Sequence, residues 1–148
     1  MNRRTKASME FDVLIPKADR IVKLHAVSKN ESITELVTML VEKGGLLAAE
    51  KDNVVSSIIS QETIASTGIG EGRAVLYGNV QSLSGVECII GLSKDGIAWD
   101  DAVDGEPVNV VYLLLAKDTT NKEFQEHLRM LPILLRDREL IEYFRELS

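Results

Sequence analysis

The run VNVVYLLLA, residues 108–116, is apolar at almost every position. It is far short of the roughly 20 residues that a membrane-spanning helix needs. Rich in Val and Leu, it reads as a strand, and a strand apolar on both faces must be covered on both faces. This segment therefore predicts a central strand with helices on either side of its sheet. RAVLYGNV (73–80) and VECIIGLS (86–93) read as further strands of the same group.

Helical patterns flank that group. In SKNESITELVTMLVEKGG (28–45), Ser28 and Glu31 match a capping box, and Ile33, Leu36, Val37, Leu40 and Val41 fall on one face. Gly44 and Gly45 then permit a left-handed stop. A second helix is expected over 48–60, with Val54, Val55, Ile58 and Ile59 as its apolar stripe. Beyond the strands, NKEFQEHLRMLPILLRDRELIEYFREL (121–147) predicts a helix with Phe124, Leu128, Leu131 and Leu135 inward, disturbed at Pro132. Asp137 is placed to cap a last helix bearing Leu140, Ile141 and Phe144. FDVLIP (11–16) and RIVKLHAV (20–27) read as short strands or an extended lead-in. KDGIAWDDAVDGEPV (94–108) carries two Asp-Gly turn signals around a short strand near Trp99. Two helices, a group of strands and two helices imply an α/β fold, a mixed sheet in an α/β/α sandwich.

Length and composition narrow the function. A chain of 148 residues suits one domain and buries about 70% of its unfolded surface, enough for a core without disulfide or metal. The 17 basic and 23 acidic residues leave a net charge of −6, and the basic ones are scattered. That excludes the concentrated positive footprint of a nucleic-acid surface and favours a basic protein partner. Cys88, the single cysteine, lies in a strand-like run, so it reads as a buried inert thiol. The first ten residues lack an apolar segment after their Arg and Lys residues and read as a flexible tail, with 11–148 as the domain. The expected compartment is the cytoplasm, with no membrane insertion.

The stretch STGIGEGRAVLYGNV (66–80) invites a phosphate-binding reading through Gly68, Gly70 and Gly72. A dinucleotide fingerprint needs a strand before the glycines and a helix after them. Here the order is reversed, and no Gly-Lys-Ser/Thr is present for a P-loop. What remains is a tight turn of permissive glycines whose amides can still receive an anion. His25 and His127 are the only histidines; far apart in sequence, they make no metal site by themselves. The carboxylates at 100, 101, 104 and 106 resemble a metal cluster but sit in a turn, where solvated acids are the ordinary case. No cofactor and no metal are expected.

Taken together, QETIASTGIGEGRAVLYG, GIAWDDAVDGEPVNVVYLLLA and EHLRMLPILLRD resemble the enzyme IIA domain of the fructose/mannitol type in the bacterial phosphotransferase system, a group that includes the nitrogen-regulatory enzyme IIA proteins. In that family the first block reads approximately Arg-Glu-x-x-x-Ser-Thr-x-x-Gly-x-Gly-x-Ala-x-Pro-His-Gly. The resemblance implies a mixed sheet flanked by helices. It also implies a phosphoryl relay, in which a histidine accepts phosphate from the histidine-containing phosphocarrier protein. The phosphate then passes to an enzyme IIB, or the domain regulates partner proteins such as a transporter or kinase. Carried over, the Pro-His pair falls on Leu76 and Tyr77, the arginine on Gln61, and the second pocket histidine on His127. Ser66, Thr67, Gly70, Gly72 and Gly78 are retained and expected around the pocket. A phenol is protonated at neutral pH and a poor nucleophile, and glutamine lacks the charge and fork of arginine. The resemblance thus implies a degenerate copy, a non-phosphorylatable regulatory or interaction module in which an exposed Tyr77 ring serves as an anchor. The alternative is a phosphocarrier that uses His127 or Tyr77 as acceptor.

Overall fold

The computed structural model describes residues 16–64, 68–99, 102 and 104–147. The predicted strand over 73–80 forms as β3 (Arg73–Asn79), that over 86–93 opens β4 (Val86–Ile97), and the apolar run is β5 (Val108–Ala116). β1 (Ile21–Lys23) and β2 (Gly68–Gly70) are short edge strands. The sheet order is β1-β4-β5-β3-β2, which puts the apolar run at the centre. β5 pairs antiparallel with β4 and parallel with β3, β1 is parallel to β4, and β2 is antiparallel to β3. The sheet is mixed, as expected.

Helices cover both faces. α1 (Lys29–Glu42) and α2 (Lys51–Ile64) lie before the sheet strands β2–β5 in sequence, and α3 (Lys122–Leu134) and α4 (Arg138–Leu147) after them. Alternation along β5 separates two cores. Val111, Leu113 and Leu115 join Ile33, Leu36, Leu40 and Ile58 of α1 and α2. Val110, Tyr112 and Leu114 join Phe124, Leu131, Leu140 and Phe144 of α3 and α4. This two-sided burial is what the uniform apolarity of residues 108–116 required.

The caps follow local chemistry. The Ser28 hydroxyl accepts from the Glu31 amide at 3.3 Å and donates to the Glu31 carboxylate at 2.8 Å. Gly44 takes φ +82° after α1, and the Gly45 amide returns to the Leu40 carbonyl. At α4 the Leu140 amide donates to the Asp137 carboxylate at 3.1 Å. Pro132 lies inside α3, where its missing N–H removes one bond, and the helix continues to Leu134.

One expectation is corrected. Asp95-Gly96 does not turn the chain between strands. β4 runs through it, with Gly96 at φ +89° and a shift of register between Leu92 and Ile97. The extra length is absorbed as a bulge, a conformation glycine adopts without Cβ strain. Among the described residues near Trp99 there is only an isolated bridge, Ser28 to Ala98, and Trp99 itself is buried in the first core. Residues 1–10, expected as a tail, and FDVLI lie outside the described residues.

Candidate functional site

Tyr77 stands near the end of β3, opposite Leu114 of β5. Its half-buried ring packs on the α3 side of the sheet, 6.2 Å from the Phe124 ring and tilted by 59°. That tilted separation is a favourable aromatic geometry. The expectation of an exposed Tyr77 ring is therefore corrected: alternation on β3 turns it toward the second core. Gly78 faces the other way. A Cβ there would meet Leu115 at 3.1 Å and Ile58 at 3.5 Å, so this glycine lets α2 approach the sheet.

Phe124 is brought to Tyr77 by a tied loop. The Thr119 amide donates to the Asn79 side chain at 2.8 Å, joining the loop to the end of β3. Asp118 accepts from the Thr120 hydroxyl and amide, which hold its carboxyl below its ordinary value. Asn121 then starts α3, its side chain accepting from the Phe124 amide at 3.3 Å. His127 follows one turn later on the same helix. With Phe124, Val86, Ala116, Lys117 and Asp118 it lines an open cleft of about 330 Å³. Tyr77 and His127, distant in sequence, thus both border Phe124.

The other expected site residues do not gather there. Gln61 is half-buried on α2, three residues beyond Ile58, on the helix pair covering the opposite face. Gly70 and Gly72, with φ of +89° and +76°, form the β2–β3 turn at the start of β3, whereas Tyr77 lies toward its end. The anion received at this turn is internal: the Glu71 amide donates to the Asp104 carboxylate at 2.9 Å. Asp104 also accepts from the Glu106 amide at 3.0 Å, and these two donors, Glu71 first, lower its pKa. Ser66, Thr67, Asp100 and Asp101 lie outside the described residues. His25 is exposed and 3.0 Å from the Glu35 carboxylate, away from the cleft. Cys88 is half-buried, and desolvation raises its thiol pKa despite a bond with the Tyr112 hydroxyl.

Phe124 was legible as an inward helix residue, but its packing on Tyr77 and the Asn79–Thr119 tie escaped the sequence reading. Asn121, a good helix-start residue three before Phe124, is the local signal that marked the loop.

Residues 14–147 match the family described as phosphoenolpyruvate-dependent sugar phosphotransferase system, EIIA 2. The chain belongs to this family. Over 89% of its length it is 30% identical to the PTS system fructose-specific EIIABC component of Bacillus subtilis, of which it spans only 20%. It is 28% identical to a nitrogen regulatory protein of Bradyrhizobium diazoefficiens, over 90% of this chain and 84% of that one. The crystal structure of nitrogen regulatory protein IIA-Ntr from Neisseria meningitidis superposes with a TM-score of 0.68 at 23% identity, covering 91% of this chain and 90% of that one. That of IIA mannitol from Escherichia coli gives 0.65 at 24% identity, covering 86% and 88%. These likenesses show the same α/β fold. The E. coli mannitol enzyme IIA has also been solved in complex with phosphorylated enzyme IIB, and it aligns at 21% identity with a TM-score of 0.65 over 88% of each chain. Among the described residues of this EIIA 2 chain, no helix is long and apolar enough to cross a membrane.

Proposed function

We propose that this EIIA 2 chain is a non-phosphorylatable regulatory module that binds a protein partner over the cleft beside Tyr77. The carrying observation is the half-buried Tyr77 ring against Phe124; the resemblance in sequence implies that Tyr77 stands in the place of the family's acceptor histidine. A phenol held against a hydrophobic cluster is a poor phosphoryl acceptor. Gln61, which the resemblance implies takes the place of the family arginine, offers no charge to grip a phosphoryl group and belongs to the helix on the other face. The cleft keeps the features of a contact surface: exposed Val86 and Lys117 and half-buried His127 beside a buried aromatic. Its partner is the histidine-containing phosphocarrier protein, an enzyme IIB, or a regulated transporter or kinase, and the expected compartment is the cytoplasm. A complex between mannitol enzyme IIA and its phosphorylated IIB supports a partner of this kind.

The second reading, a phosphocarrier by an altered route, rests on His127, which opens into the cleft. Incubation with phosphoenolpyruvate, enzyme I and the phosphocarrier protein, followed by intact-mass measurement, separates the two. The expected result is an unchanged mass. A stoichiometric gain of one phosphate overturns the proposal, and its loss in His127→Ala would assign the acceptor to His127 rather than Tyr77.

A further inference from the structure

A second hollow, of about 450 Å³, opens at the opposite end of the β4–β5 ladder from the Tyr77 cleft. The cleft meets β4 at Val86 and β5 at Ala116. The hollow meets β4 at Leu92 and Lys94 and β5 at Asn109. Six or seven residues of extended chain, roughly 20 Å, separate the two. Leu92, buried in the second core, gives the hollow an apolar floor on the α4 face, and Lys23, Lys94 and Arg145 bring cations from three different elements. His25 stands at the rim, engaged by Glu35.

The charge distribution sets this hollow apart. Acidic residues outnumber basic ones in the chain, 23 to 17, yet among the described residues no carboxylate lines it. The carboxylates near its cations lie outside the lining: Glu142 pairs with Arg145 at 2.6 Å, and Asp95 follows Lys94 in sequence. The framework is fixed: the Asn109 side-chain NH2 donates to the Ser93 carbonyl at 3.0 Å, and the Ser93 hydroxyl accepts from the Gly96 amide at 3.0 Å. The Gly96 bulge thus helps shape one wall. Cations converging from β1, β4 and α4 suit a ligand carrying more than one negative charge, and arginine adds forked donors for oxyanions. The volume lies within the range of small-molecule sites.

From these observations we infer that the hollow binds a small phosphate monoester, its dianion held by Lys23, Lys94 and Arg145 and its apolar body resting on Leu92. The site is independent of the reading proposed for Tyr77, because it shares no residue with that cleft. The test is an amide NMR titration of the full chain with phenyl phosphate, with inorganic phosphate and benzoate as parallel arms. The expected result is saturable shifts at residues 23–25, 92–94 and 109, with phenyl phosphate binding more tightly than either control. Lys94→Ala with Arg145→Ala should weaken that binding by about tenfold, while Lys94→Arg retains it. The variants' amide dispersion in the absence of ligand reports that they fold. Shifts that do not saturate, shifts scattered over the surface, or equal binding by the folded double variant would overturn the assignment.

Discussion

Tyr77 and Gly78 are neighbours on β3 with opposite duties, one packing a ring on Phe124 and the other admitting Ile58. At this scale the same residue types acquire roles only through the face they occupy. Asp104 shows the point with charge. It reads as one of four turn carboxylates, but its oxygens hold the Glu71 and Glu106 amides across the β2–β3 turn. Those bonds favour the ionised form and lower its pKa. A carboxyl lowered in the folded state contributes stability above its unfolded pKa and loses it as pH falls through the folded one. Asp104→Ala should therefore lower Tm at pH 7. The gap to the natural chain should narrow below the ordinary aspartate value of about 3.9. Thermal unfolding of both proteins from neutral to acid pH checks this, and a gap independent of pH would remove the electrostatic account.

At the scale of elements, signals confined to one turn of chain were legible, while those depending on distant partners were not. Ser28-Glu31 and Asp137-Leu140 cap their helices as the sequence implied, because each bond spans three residues. The Asp95-Gly96 pair misled for the converse reason. A glycine at positive φ serves a turn or a bulge equally, and pairing with β5 decided for the bulge. The candidate site was half legible. Tyr77 and His127 were named from resemblance, but their common neighbour Phe124 depends on a strand–helix approach fixed by Asn79 and Thr119. The glycine turn was expected beside Tyr77, yet they occupy opposite ends of β3. Because the caps are local, their loss should cost a fixed, modest amount. Ser28→Ala and Asp137→Ala should each destabilise by about 1 kcal/mol, measured by urea unfolding. A loss below a few tenths would show that water or another donor replaces the cap.

Across the whole molecule, β5 makes one unit of two cores. Leu113 belongs to the first and Leu114 to the second, so neither face can lose its order without disturbing the backbone of the strand that holds the other. Trp99, the sole tryptophan, lies in the first core and reports only that side of the sheet. Leu131 lies fully buried in the second, under α3. Leu131→Ala removes buried methyl groups and leaves a cavity, which should destabilise by about 2–5 kcal/mol. If the central strand couples the cores, the Trp99 fluorescence midpoint should fall by as much as the far-ultraviolet circular dichroism midpoint, although Trp99 touches neither the cavity nor α3's core. Coincident transitions in denaturant are the expected result. A fluorescence transition that stays in place while helical signal is lost early would show that the α3–α4 layer unfolds by itself, and that the Tyr77 cleft it carries can open without the rest of the domain.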